Sequence, residues 1–244
     1  MKPLIIANWK MNPASQKEAK RLFDAVKKVG KSKNVQVVIC PPFLYLPLLK
    51  GITLGAQNVF FEDKGAFTGE ISSLQLKDAG VEYVIIGHSE RRRYFSETND
   101  QINKKIKKVL EADMKSILCV GETVEEKDRK QDILETQITK ALAGVSNVKS
   151  QMSKVVIAYE PVWAIGTGNN CSVDETMSSV VLIRKIISQL YSREVANAVK
   201  VIYGGSVNSS NAAVYITSAG ANGLLIGSNS LNSDDFVKIV KSIN

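Results

Sequence analysis

Short continuous apolar runs recur along the chain at residues 4–7, 35–40, 52–56, 83–87, 116–121, 155–159, 200–204 and 223–227. Their residues do not alternate apolar with polar, which predicts strands covered on both faces. Between them the spacing changes to that of helices with one buried face. Ala19, Leu22, Phe23 and Val26 fall at i, i+3, i+4 and i+7, and Leu134, Ile138, Ala141 and Leu142 at i, i+4, i+7 and i+8. Met177, Val180, Ile183, Ile187 and Leu190 continue the theme. Thr98-x-x-Gln101, Thr123-x-x-Glu126 and Ser172-x-x-Glu175 stand before periodic stretches and read as capping boxes, whose side chains satisfy first-turn N–H groups. Eight strands alternating with helices predict an α/β fold, a closed parallel (β/α)8 barrel, with a doubly wound open sheet as the structural rival. No linker or composition break divides the 244 residues, so a single domain over 1–244 is expected.

Charge changes this picture little. Lys+Arg exceed Asp+Glu by 32 to 24, a formal net charge of +8. The most basic stretch, Lys104, Lys105, Lys107 and Lys108, interleaves with Ile102, Ile106, Val109 and Leu110. That pattern makes the lysines the solvated face of a helix rather than a nucleic-acid patch, and no nucleic-acid partner is expected. A positive field also suits an anionic small substrate. The cysteines, Cys40, Cys119 and Cys171, are read as reduced, which favours a cytoplasmic setting. The apolar run behind Lys2 is too short for a signal-peptide core or a membrane span, so no membrane partner is expected. His88 is the only histidine and no CxxC occurs, so neither a metal nor another cofactor is signalled.

Candidate chemistry lies where the apolar runs end. The first is followed by Asn8, Trp9 and Lys10, the fourth by His88 and the sixth by Glu160. The seventh ends in Gly204-Gly205-Ser206 and the eighth in Gly227-Ser228. In a parallel barrel all these ends meet at one mouth, where loops after strands seven and eight often bind phosphate. The set suits proton transfer beside a carbonyl: Glu160 as base, His88 as electrophile, Lys10 and Asn8 as electrostatic support. Glycine-bearing loops supply backbone N–H groups that can approach a phosphate closely.

Several stretches together carry a specific resemblance: Asn8-Trp9-Lys10, Gly87-His88-Ser89-Glu90-Arg91-Arg92, Tyr159-Glu160-Pro161-Val162-Trp163-Ala164-Ile165-Gly166-Thr167-Gly168 and Tyr203-Gly204-Gly205-Ser206-Val207, with Gly65-Ala66-Phe67-Thr68-Gly69-Glu70 beside them. The chain resembles the triosephosphate isomerase family along nearly its whole length. The resemblance implies interconversion of dihydroxyacetone phosphate and D-glyceraldehyde 3-phosphate through an enediol(ate), in glycolysis and gluconeogenesis. It assigns proton shuttling to Glu160, a neutral polarising imidazole to His88, a place near the developing charge to Lys10, and a supporting role to Glu90. That family is itself the standard worked case of a histidine kept neutral by a helix N-terminus. The resemblance adds Gly166, Ser206, Gly227 and Ser228 as phosphate-binding positions, beside Asn8 and Lys10, and residues 161–168 as a lid. The segment 60–70, with Thr68 near its tip, resembles a loop that reaches into a partner subunit and implies a homodimer. Two departures stand out: Ser228 where the family usually has glycine, so that a Cβ disfavours positive φ, and Asn169-Asn170-Cys171 after the lid. The competing enzyme reading is another phosphate-binding barrel, such as a sugar-phosphate lyase or aldolase, which as a Schiff-base enzyme wants a lysine at a strand end.

Overall fold

In the computed structural model the described residues are 2–166 and 170–243. Eight parallel strands form one closed ring in chain order. They are β1 (Leu4–Asn8), β2 (Gln36–Cys40), β3 (Thr53–Ala56), β4 (Val81–Ile86), β5 (Lys115–Val120), β6 (Val155–Tyr159), β7 (Lys200–Tyr203) and β8 (Gly223–Ile226). The ring closes where β1 pairs with β8, Leu4 opposite Gly223 and Ala7 opposite Ile226. The expected barrel is therefore present, and the open-sheet rival fails because β1 has a partner on both sides.

The helices between the strands are α1 (Gln16–Val26), α2 (Ser73–Asp78), α3 (Ser89–Tyr94), α4 (Asn99–Glu111), α5 (Lys130–Ala141), α6 (Lys149–Met152), α7 (Val173–Leu190), α8 (Arg193–Ala198), α9 (Ala212–Thr217) and α10 (Ser233–Ser242). Strand side chains alternate between two cores. Leu4, Ile6, Val38, Ile85, Ile117 and Leu225 share the barrel interior. Ile5, Ala7, Ile39, Val84 and Leu118 face the helices. Burial on both sides explains the unbroken apolar runs. Each fully buried Leu, Ile or Val contributes about 1.5–3 kcal/mol relative to exposure.

The caps work largely as read. Thr98 and Gln101 form a complete box at α4, and Thr123 with Glu126 forms another. The latter opens a 3-10 turn, Val124–Arg129, and α5 begins only after it. Ser172 accepts from the Glu175 N–H at 3.1 Å. Ser72 and Gln75 form a further box at α2 that the pattern reading passed over.

Two expectations need correction. Met177 and Leu190 of α7 are exposed rather than core. Lys105 is not on a solvated face either: it is buried, ion-paired with Glu97, and donates to Asn58 Oδ1 at 2.8 Å. The helical stripe was too narrow a description, because α4 packs one lysine into a polar cluster inside the fold. Among the described residues no helix is long and apolar enough to cross a membrane. All three cysteines are free thiols and buried, including Cys171, which the sequence places in a polar loop.

Candidate active site

A cavity of about 180 Å³ opens at the carboxyl ends of the strands. That lies below the ~300–1,000 Å³ of pockets for drug-sized ligands, so the site selects a small molecule. Its lining brings together Asn8, Lys10, His88, Glu160, Gly166, Ser206, Gly227 and Ser228. Parallel strands aim every one of these ends at the same mouth.

His88 closes β4 and caps α3. The Glu90 backbone N–H donates to His88 Nδ1 at 3.2 Å. A backbone amide can only donate, so Nδ1 is the acceptor in this contact. Nε2 is the nitrogen directed into the site. Nε2 lies 3.3 Å from Glu160 Oε1. The other oxygen, Oε2, accepts from the Ser89 N–H at 3.2 Å. The carboxylate and the imidazole thus face each other within the cavity.

Glu160 owes its position to two glycines. A Cβ at Gly121 would stand 1.8 Å from the Glu160 carbonyl oxygen, and one at Gly204 would stand 2.9 Å from Glu160 Cγ. Only bare backbone just past β5 and β7 lets the carboxylate follow β6 into the mouth.

Lys10 has positive φ, +53°. Such backbone costs a non-glycine residue on the order of 1–3 kcal/mol and persists only when its surroundings over-determine it. Asn8 Oδ1 accepts the Lys10 N–H at 3.1 Å, and Gln57 Nε2 donates to the Lys10 carbonyl at 2.8 Å. The turn swings the ammonium to Glu90 Oε1 at 2.5 Å. The open side of Gly227 lies nearby: a Cβ there would be 3.7 Å from Nζ. Asn8 therefore shapes Lys10 as well as lining the cavity.

The loop after β7 is tied to the segment after β6. Ser206 Oγ donates to the Ala164 carbonyl at 2.7 Å. Trp163 Nε1 donates to Glu122 Oε1 at 3.0 Å, and the Tyr159 hydroxyl reaches the same oxygen at 3.0 Å. Lys127 Nζ stands 3.5 Å over the Trp163 ring. Burial drives the Tyr159 phenol well above its ordinary range, with the Glu122 carboxylate adding to it. Gly166 takes φ of +68°, a conformation natural to glycine. Of the expected lid, Thr167 and Gly168 lie outside the described residues, as does Asn169 of the following departure. Ser228 begins the 3-10 turn Ser228–Ser230 and does not take positive φ, so its Cβ meets none of the backbone objection raised by the family's usual glycine.

Pattern reading missed Gln57, which braces Lys10 and the Cys40 carbonyl, and Asn229, whose Nδ2 donates to the Val207 carbonyl across the two phosphate-side loops. Gln57 directly follows β3, so extending the strand-end reading to that run would have found it. Asn229 carries no such signal; its use appears only when β7 and β8 lie side by side.

Comparison with known proteins agrees with this geometry. The family model described as triosephosphate isomerase matches residues 3–243. Among curated relatives, the triosephosphate isomerase of Alkaliphilus oremlandii is 43% identical over 98% of both chains. That of Caldanaerobacter subterraneus subsp. tengcongensis is 44% identical, again over 98% of both. The chain belongs to the triosephosphate isomerase family, whose members are aldose–ketose isomerases.

Proposed function

We propose that the cavity at the strand ends interconverts dihydroxyacetone phosphate and D-glyceraldehyde 3-phosphate, with Glu160 as the base that moves the proton between the two carbons. The observation that carries this reading is the 3.3 Å approach of Glu160 Oε1 to His88 Nε2. When substrate separates them, the carboxylate meets the carbon acid and Nε2–H meets the carbonyl oxygen. Glu160 takes the proton from one carbon, negative charge grows on the oxygen, and the Nε2–H hydrogen bond and the Lys10 ammonium stabilise it. A second proton moves between the oxygens: Nε2–H passes its proton to the former carbonyl oxygen and takes one from the neighbouring hydroxyl, so that return of the carbon-bound proton to the neighbouring carbon completes the exchange with Glu160 and His88 as they began. Backbone N–H groups of Gly166, Ser206, Gly227 and Ser228 hold the phosphate, while Asn8 keeps Lys10 in its turn.

The aldolase reading is weaker on this geometry. A Schiff-base lysine must offer a free amine, whereas Lys10 is ion-paired with Glu90. The test is a coupled isomerisation assay on the wild type, Glu160→Gln and His88→Gln. Glu160→Gln is expected to lose at least ~10²–10⁴-fold in kcat, the usual worth of a general base. Equal turnover in all three proteins would refute the assignment.

The same reading extends to assembly and setting. Met11, Leu44, Phe67, Leu74, Tyr94 and Phe95 are exposed on segments that follow the adjacent strands β1 to β4. Large apolar side chains exposed after four adjacent strands suit association, and a homodimer built there, with Phe67 and Thr68 reaching across, accounts for them. Phe67→Asp is expected to shift sedimentation to the monomer; a wild-type monomer with full activity contradicts the dimer. Buried free thiols fit a reducing cytoplasm. Closure of β8 onto β1 fits one domain over residues 1–244.

A further inference from the structure

Tyr203 ends β7, and its phenol turns back beneath the glycine loop that follows. A Cβ at Gly205 would stand 2.1 Å from the Tyr203 hydroxyl and 2.5 Å from Cζ, so the Gly205 backbone rests directly on the end of this ring. The ring is fully buried, and its hydroxyl lies close to the Tyr215 hydroxyl and the Cys171 backbone.

The fixing contact comes from α9. The Tyr215 ring stacks on Tyr203 with centroids 4.1 Å apart and planes 26° from parallel. Tyr215 is itself buried, and its hydroxyl donates to the Cys171 carbonyl at 2.7 Å. Cys171 immediately precedes Ser172, the residue that caps α7. A continuous line of contacts thus runs from the start of the longest helix, through the Tyr215 hydroxyl and the stacked rings, to the underside of Gly205. Neither tyrosine lines the cavity, whereas Gly204, Gly205 and Ser206 all do.

We propose that Tyr215 is a positioning residue for phosphate recognition: it clamps the Tyr203 phenol beneath Gly205 and so sets where the N–H groups of residues 204–206 meet the phosphate. The inference rests on the proposed function for the identity of the anion's carrier, but the clamp itself acts on phosphate alone. A residue that only filled space would be replaced by another apolar side chain without consequence for anion affinity. A clamp responds in steps. Tyr215→Phe keeps the stack and frees it from Cys171; Tyr215→Leu removes the stack.

The test compares wild type, Tyr215→Phe and Tyr215→Leu by calorimetric titration with inorganic phosphate and by steady-state isomerisation, at a temperature where all three are folded by circular dichroism. Tyr215→Phe is expected to weaken phosphate binding about three- to tenfold, the worth of one hydrogen bond to positioning. Tyr215→Leu is expected to weaken it further. KM rises in step while kcat changes by less than about twofold, because uniform binding is lost and the chemistry is not. Phosphate affinities equal in the three proteins overturn the clamp, whatever the turnover. Graded phosphate affinities together with a wild type that turns over no triose phosphate uphold the clamp and overturn the proposed function instead.

Discussion

Gly204 shows how a single missing Cβ can govern chemistry. Its backbone does not take positive φ, so alanine is allowed there by conformation. The obstacle is space alone, since the new methyl would sit 2.9 Å from Glu160 Cγ and 3.4 Å from the Tyr159 carbonyl. The carboxylate is the part able to yield, and it would yield away from its reactive position. A misplacement of about 1 Å can cost ~10²-fold in rate. Gly204→Ala is therefore expected to lower kcat by roughly 10–100-fold with the barrel intact, read by kinetics beside a thermal melt. Unchanged kcat would mean that Glu160 is free to sit elsewhere and still work. Cys171 offers a second residue-scale prediction, in pH. Burial pushes its thiol up to about 11, whereas an unfolded thiol titrates near ~8.5. Between about pH 9 and 11 the unfolded chain gives up a proton that the folded chain keeps, so stability falls as pH rises through that window. Cys171→Ala removes this contribution. The urea midpoint of the variant, relative to wild type, should rise between pH 8 and pH 10.5; a constant difference would show that the thiol does not contribute.

At the scale of the element, α4 carries more than its amphipathic pattern suggests. Its N-terminus is held by a capping box worth about 1 kcal/mol. Its inward lysine, Lys105, pairs with Glu97, and Glu97 Oε2 in turn accepts the Gly87 N–H at 3.1 Å. Gly87 is the residue before His88, so a helix on the outside of the barrel braces the loop that presents His88 to the cavity. Burial holds Lys105 below the ordinary lysine range, and Glu97 pulls it back up. Removing Lys105 strips one charged partner from buried Glu97 and leaves it Arg91, whose Nε lies 3.3 Å from Oε1, at a cost of about 1–3 kcal/mol. Lys105→Met should lower stability by that amount in urea denaturation, while Lys104→Met, on the exposed side of the same helix, should change it by less than about 0.5 kcal/mol. Equal effects would place the two lysines in equivalent surroundings. This helix also marks where sequence patterning stops. Ile102, Ile106 and Val109 are readable because apolar burial repeats with the helical period. Lys105 is not readable, because its burial depends on Glu97 and Asn58, which reach it through tertiary contact. The strand-end residues Asn8, Lys10, His88 and Glu160 were legible for the opposite reason: a parallel barrel places every strand end at one mouth, so position along the chain converts directly into proximity. Gln57, Asn229 and Tyr215 act through lateral contacts between neighbouring loops and helices, and no periodicity encodes those.

Across the whole molecule the ring of strands is not equally closed. β5 and β6 run in register from Ser116 opposite Val155 to Val120 opposite Tyr159, whereas β7 and β8 share the single register pair Tyr203–Leu224. This thin seam lies beneath the loops assigned to phosphate. Side chains take over where the ladder is short. Asn222 Oδ1 accepts the Val201 N–H at 3.0 Å, the Asn222 N–H donates to the Val201 carbonyl at 2.7 Å, and the Asn222 carbonyl accepts the Leu4 N–H at 3.0 Å. One residue thereby links β7 to β1 just before β8 begins. Arg184 of α7 holds it in place, donating to Oδ1 at 2.6 Å and to the Ala196 carbonyl at 2.8 Å. Asn222→Ala preserves both backbone links and strips the side-chain one, leaving the N–H of fully buried Val201 without its acceptor. An unsatisfied buried donor costs about 1–3 kcal/mol. The loss should appear as a lower urea midpoint at constant slope, because the surface exposed on unfolding is unchanged. Hydrogen exchange gives the spatial check: amides of β7 and β8 should lose protection in the variant while those of β5 and β6 keep theirs. Uniform loss around the ring would show instead that the barrel opens only as a whole, and that the short β7–β8 ladder is no weaker than the rest.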